Sequence, residues 1–180
     1  MGGSSSSSMH SWMHRGNTLI TFFGTVAAVL CLATTLTDLR HVYTMPDPQA
    51  SVSLAEVKRL APMTGSKEQA TLTFSMDADL RSVFSWNTKQ LFLFLQAEYS
   101  TPDSTVNQVV LWDTIIQQKE KARIRLKNHK TKYSLIHPSK GLKGAPMNLT
   151  LVWHVMPRVG FMYTQSRTFP GGRLPDKYMQ

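Results

Sequence analysis

Eighteen residues from Leu19 to Leu36, LITFFGTVAAVLCLATTL, run without a charge, inside a charge-free gap of 22 residues between Arg15 and Asp38. At about 1.5 Å per residue, a helix of this length covers roughly the 30 Å hydrocarbon core of a bilayer. The polar side chains within it are Thr21, Thr25, Thr34 and Thr35, whose hydroxyls can bond back to their own helix. With the neutral margins Asn17, Thr18 and Thr37, the pattern predicts one membrane segment over 17–37. A cleaved signal peptide has an apolar run of only about 7–15 residues behind a basic leader. Here the run is longer and the leader holds one Arg, so an uncleaved signal anchor is the better reading.

Beyond the anchor the period changes to two. Ala70, Leu72, Phe74, Met76, Ala78 and Leu80 alternate with Thr71, Thr73, Ser75, Asp77 and Asp79, which predicts a half-buried strand. Gln90–Tyr99 begins apolar on both faces and ends with Gln96 and Glu98 on one, as a central strand emerging toward solvent would. Val106–Ile116, Tyr133–Ile136 and the alternation Met147, Leu149, Leu151, Trp153, Val155 give three more. Turn residues separate these runs at Pro102-Asp103-Ser104, Pro138-Ser139 and Gly141 through Pro146. The expected fold is mainly β: one N-terminal transmembrane helix followed by an antiparallel β-sandwich. Residues 1–16 read as a flexible tail, 38–69 as a stalk and irregular lead-in, 70–160 as the sandwich and 161–180 as an irregular tail. Within the lead-in, Val52, Leu54, Val57 and Leu60 suggest a strand followed by a half-turn. Met1-Gly2 with Ser6 fits the loose acylation pattern, but a Ser/Gly-rich tail, with translation starting at Met1 or Met9, is preferred.

Charge adds one local feature. The chain carries 20 Lys and Arg against 11 Asp and Glu, a net charge of +9. Lys119, Lys121, Arg123, Arg125 and Lys127 all occupy odd positions, with Ala122, Ile124 and Leu126 at even ones. On a strand this makes one cationic and one apolar face. Such a face suits a solvated edge strand, or contact with lipid headgroups or an acidic partner; nucleic acid is disfavoured for want of aromatic residues among the basic ones. The flanks of the anchor, Arg15 before and Arg40 after, leave its orientation open. Cys31, the one cysteine, lies in the span, so the soluble part must be held by its core alone. Asn148-Leu149-Thr150 is the one N-glycosylation sequon, and its alternation places Asn148 and Thr150 opposite the apolar face, pointing outward.

No nucleophile elbow, metal-spaced His/Cys cluster or phosphate-binding glycine loop occurs. Ser75-Met76 and the Asp77/Asp79 pair sit mid-alternation on a strand, which favours structural over catalytic roles. Residues 84–95, FSWNTKQLFLFL, with Ala97-Glu98-Tyr99 and the block Asn107–Asp113, NQVVLWD, resemble the signal peptidase complex subunit 3 family. Thr131-Lys132-Tyr133, Gly141-Leu142-Lys143-Gly144 and Asn148 to Trp153 match as well, so the resemblance covers about 70–157. It implies a glycosylated single-pass type II protein of the endoplasmic reticulum membrane, amino terminus cytosolic and β domain luminal. In that setting the chain is a non-catalytic accessory subunit with no cofactor and no metal. Its partners would be the catalytic and other accessory subunits, the bilayer, and nascent secretory chains indirectly. The alternatives are a ligand-binding or chaperone-like sandwich acting alone, and an enzyme using Asp77, Asp79 or Glu98. The aromatics Phe92, Phe94, Trp86, Trp112 and Trp153 discriminate: an outer patch formed by them would favour the subunit, and a cavity lined by them would favour a binder.

Overall fold

The structure, a computed structural model, describes residues 5–179. Met1–Ser4, and with them the Met1-Gly2 acylation pattern, lie outside the described residues, as does Gln180. The chain forms two units, residues 1–44 and 45–180.

The first unit is one helix, α1 (Ser5–Thr44), so helix replaces flexible tail over 5–16 and continues past the apolar span on the other side. Its apolar side chains stay uncovered on all sides: Leu19, Phe22, Phe23, Val29, Leu30, Leu32 and Leu36 are each more than half exposed. A helix apolar all round has its proper solvent in lipid. Three threonine hydroxyls of the span are satisfied internally, Thr25 donating to the Thr21 carbonyl at 2.9 Å, and Thr34 and Thr35 to Leu30 and Cys31 at 2.8 Å.

The second unit is a sandwich of two antiparallel sheets. One contains β1 (Gln49–Pro62), β2 (Glu68–Asp79) and β5 (Arg123–Lys130) in that order, with β6 (Leu135–His137) also on β2. The other has the order β4 (Ser104–Ile116), β3 (Thr88–Thr101), β7 (Pro146–Pro157), β8 (Tyr163–Arg173). Two short 3-10 turns, η1 (Arg81–Val83) and η2 (Lys119–Ala122), carry the chain between sheets. Inner rows Leu72, Phe74, Met76 and Leu91, Leu93, Leu95 meet Leu149, Leu151 and Trp153 in one core.

Three elements depart from the sequence expectation. The stretch read as an irregular lead-in holds β1, 14 residues long. Register shifts between Leu54 and Glu56 and between Val57 and Arg59 each add one residue, so inward positions fall at 52, 54, 57 and 60 instead of every second one. The tail expected after Gly160 contains β8, paired with β7 from Tyr163↔Val155 to Arg173↔Pro146. Its inner positions include Gln165 and Arg167, too polar to read as a core face; Arg167 donates to the Pro48 carbonyl at 3.0 Å. Gly171 in β8 has no room for a side chain, since a Cβ would stand 2.8 Å from the Met147 carbonyl oxygen. The third departure is the start of the basic run, which is η2 rather than strand.

One end of the sandwich is closed by a buried polar network. Glu68, fully buried, accepts from the N–H groups of Gly141 (2.9 Å) and Leu142 (2.7 Å) and from the Tyr178 hydroxyl (2.6 Å). Across the strand pair, buried His137 meets the Tyr99 hydroxyl at Nδ1 and Ser139 at Nε2, both at 3.1 Å. Met179 bridges back to Leu60, so the C-terminal segment is tied to this end. Burial pushes the Glu68 carboxyl up, but the bonds from Tyr178, Leu142 and Gly141, helped by the Lys143 charge, outweigh it and leave it below its ordinary 4.5. A lowered carboxyl contributes stability above its ordinary value and loses it as pH falls through the depressed one. The urea midpoint in mild detergent is therefore expected to fall as pH drops below 4.5. Glu68→Gln should flatten that slope, while Glu68→Ala should cost about 1–3 kcal/mol for each buried donor left unpaired. An unchanged acid slope in Glu68→Gln would contradict the assignment.

Candidate interaction surface

The pleat of β3 sends Leu91, Leu93, Leu95, Ala97 and Tyr99 into the core and Phe92 and Phe94 outward. Phe92 faces His154 of β7 and Ile115 of β4; Phe94 faces Val152 and Asp113. The two phenyl rings lie 5.4 Å apart, and the His154 imidazole stacks on both, at 5.4 Å from Phe94 and 6.2 Å from Phe92. His154 is oriented by Thr164 of β8, 2.7 Å from Nδ1. Ile115 and Val110 widen the apolar surface, at 56% and 39% exposure. Its rim is polar: Glu98 accepts from Gln96 at 2.8 Å and from Gln108 at 3.3 Å. Phe92 and Phe94 thus lie on the outer face of the sheet, half-buried by their neighbours, whereas Trp112 and Trp153 are buried and Trp86 is exposed.

Asn148 lies on this same outer face, exposed in β7 and opposite Glu98. Thr150 departs from expectation. It is on the outer face but only 3% exposed, covered by β8 and 3.0 Å from the Thr168 hydroxyl.

The five basic residues lie along η2 and β5. Lys119 and Lys121 sit on η2, while Arg123, Arg125 and Lys127 follow along β5, an edge strand, all five exposed. They do not form one continuous strand face, because the odd spacing crosses from a 3-10 turn into a strand. Arg125 reaches Asp77 at 3.2 Å. Arg81 binds Asp79 through two nitrogens, and these bonds hold the Asp79 carboxyl at about 2. Ser75 is built into the bulge between β2 and β5, accepting from the Asn128 N–H at 3.1 Å where Asn128 has φ +48°. A shallow groove of about 430 Å³ runs between Ser51, Ser53, Ser75, Asp77, Arg125 and Lys127. Among the described residues, no group of three or more His, Cys, Asp or Glu is placed to hold a metal ion.

A family model described as "Signal peptidase subunit" matches residues 9–177. The chain belongs to the signal peptidase subunit family. The match reaches beyond the 70–157 block that carries the resemblance and includes β1 and β8. Signal peptidase complex subunit 3 of Gallus gallus is 39% identical over 158 residues, covering 86% of this chain and 87% of the relative. The Homo sapiens protein of the same name shows the same identity and coverage. The Drosophila melanogaster one is 35% identical, over 86% of this chain and 88% of its own.

The basic positions are exposed and support no core packing, so their removal is a test of surface character. Replacing Lys119, Lys121 or Lys127 singly by Gln is expected to change stability by no more than about 0.5 kcal/mol. A large loss in the urea midpoint would show that these side chains are buried in the working protein.

Proposed function

We propose that this chain is a non-catalytic accessory subunit of the endoplasmic-reticulum signal peptidase complex, bracing the catalytic subunit during removal of signal peptides. Residues 17–37 cross the bilayer, the amino terminus is cytosolic, and the β domain is luminal with Asn148 glycosylated. The relatives' shared name, signal peptidase complex subunit 3, supports membership in that assembly.

The observation that carries the bracing role is the outward Phe92–Phe94–His154 cluster on a rigid, two-neighbour strand. A subunit acting by contact needs an apolar surface aimed at a partner, and an aromatic cluster with a polar rim is such a surface. A serine peptidase instead needs a nucleophile beside a base and an oxyanion hole. Ser75 is committed to the β5 backbone, Asp77 to Arg125 and Asp79 to Arg81, while Ser139 beside His137 donates to the Asp103 carboxylate and His137 Nδ1 is taken by the Tyr99 hydroxyl. The N–H pair of Gly141 and Leu142 is occupied by Glu68.

Depleting the chain from cells should lower signal peptide processing and the level of the catalytic partner. Re-expression of Ser75→Ala or Asp77→Asn should restore processing to within a few-fold of wild type. Glycosidase should shift the wild-type chain but not Asn148→Gln. Processing abolished by Ser75→Ala with the complex intact, as on losing a nucleophile, would overturn the accessory reading.

A further inference from the structure

The two ends of the sandwich differ in kind. Gln49 opens β1 opposite Asp79 at the end of β2, which faces Arg123 at the start of β5. In the other sheet Thr88 opens β3 opposite Pro157, where β7 ends. The entry at 45–48, the link 80–87, the η2 connection 117–122 and the hairpin 158–162 therefore gather at one end. The Glu68–Tyr178 network closes the other.

The first end is where the chain arrives from α1. Residues 37–48 are all that separate the apolar run from β1, and 37–44 of these are helical, adding only about 1.5 Å each. This end also carries apolar side chains left in water. Trp86 is 70% exposed, Phe161 83% and Met162 63%. They are not frayed. Asn87, 1% exposed, donates from its side-chain amide to the Val159 carbonyl at 2.7 Å and accepts from the Val159 N–H at 3.2 Å. Its own carbonyl accepts from the Arg158 N–H at 2.8 Å. The clamp locks the Trp86 turn against the 158–162 hairpin and, with Phe84 buried beside it, holds the indole outward. Lys119, Lys121 and Arg158 stand at the same end, exposed, with Glu120 and Asp47 as opposing charges and Asp79 paired with Arg81.

Rigid outward Trp, Phe and Met next to exposed Lys and Arg is the combination that settles at the headgroup layer. The rings and thioether take the acyl boundary and the cations take the phosphates. We propose that this end of the β domain docks on the bilayer surface, with Trp86, Phe161 and Met162 at headgroup depth and Lys119, Lys121 and Arg158 on lipid phosphates. The proposal rests on the reading of 17–37 as a membrane span. It assigns two of the five basic residues to lipid and leaves Arg123, Arg125 and Lys127, which climb away along β5, outside that contact.

The full chain, reconstituted in nanodiscs of phosphatidylcholine with and without phosphatidylserine, provides the test. An environment-sensitive fluorophore on the native Cys31 reports the span itself, and lipids spin-labelled deep in the acyl chain should quench it. In a Cys31→Ala background the same fluorophore is placed at Phe161→Cys or Trp86→Cys, and at Val106→Cys near the opposite end. The first two labels are expected to emit blue-shifted and be quenched by lipids spin-labelled near the headgroup; the Val106 label should behave as in water. Reversing Lys119 and Lys121 to Glu should weaken that quenching, most at low salt with phosphatidylserine present. A quenched Cys31 label with the Phe161 and Trp86 labels as wet as the Val106 label would overturn the docking and leave the span standing. An unquenched Cys31 label would overturn both. Labels that become buried only when other subunits are added would mark a protein interface and refute lipid contact.

Discussion

The pleat of β3 organises the molecule. Flanked by β4 and β7, the strand has both backbone edges hydrogen-bonded, so its two side-chain rows are fixed in direction. The inner row of Leu91, Leu93 and Leu95 is fully buried, each side chain worth about 1.5–3 kcal/mol of transfer from water. The outer row is fixed equally, and that is why Phe92 and Phe94 remain outward. A one-residue slip would exchange the rows and place Gln96 and Glu98 in the core, so core and surface patch are specified by the same register.

Where inward positions are plain hydrocarbon, the strand is legible in the sequence: β2, β3 and β7 by their alternation, and β4 by its apolar run despite the register shift at Leu95/Gln96. β1 is obscured because two bulges shift its phase, turning a period of two into the spacing 52, 54, 57, 60. β8 is obscured because Gln165 and Arg167 occupy inner positions and find polar partners, Arg167 at the Pro48 carbonyl and Gln165 at the Trp153 indole N–H, 3.1 Å away. The basic run kept an even rhythm through a change from 3-10 turn to strand, which spacing alone does not register. Of the candidate surface, the exposure of Asn148 and of the basic residues was readable from alternation. The enclosure of Thr150 was not, since it depends on the unrecognised β8. The Glu68 network and the Asn87 clamp join residues far apart in sequence and left no local signal.

Chemistry and contact are separated in this fold. The carboxylates and serine considered for catalysis are engaged: Asp79 by Arg81, Asp77 by Arg125, Glu98 by Gln96 and Gln108, Ser75 in a bulge. Apolar side chains line the outer face around β3, and apolar and cationic ones stand exposed at the end where the chain enters. Such a distribution suits a subunit that works by being held and by holding.

The central claim, function through a docked outer face, is tested most directly by placing a photoreactive amino acid at Phe94 in membranes that contain the whole complex. Irradiation is predicted to yield an adduct with another subunit of the signal peptidase complex, while the same group at Val106 yields none. An intact complex in which position 94 cross-links only to water-borne proteins, or to nothing, would contradict it.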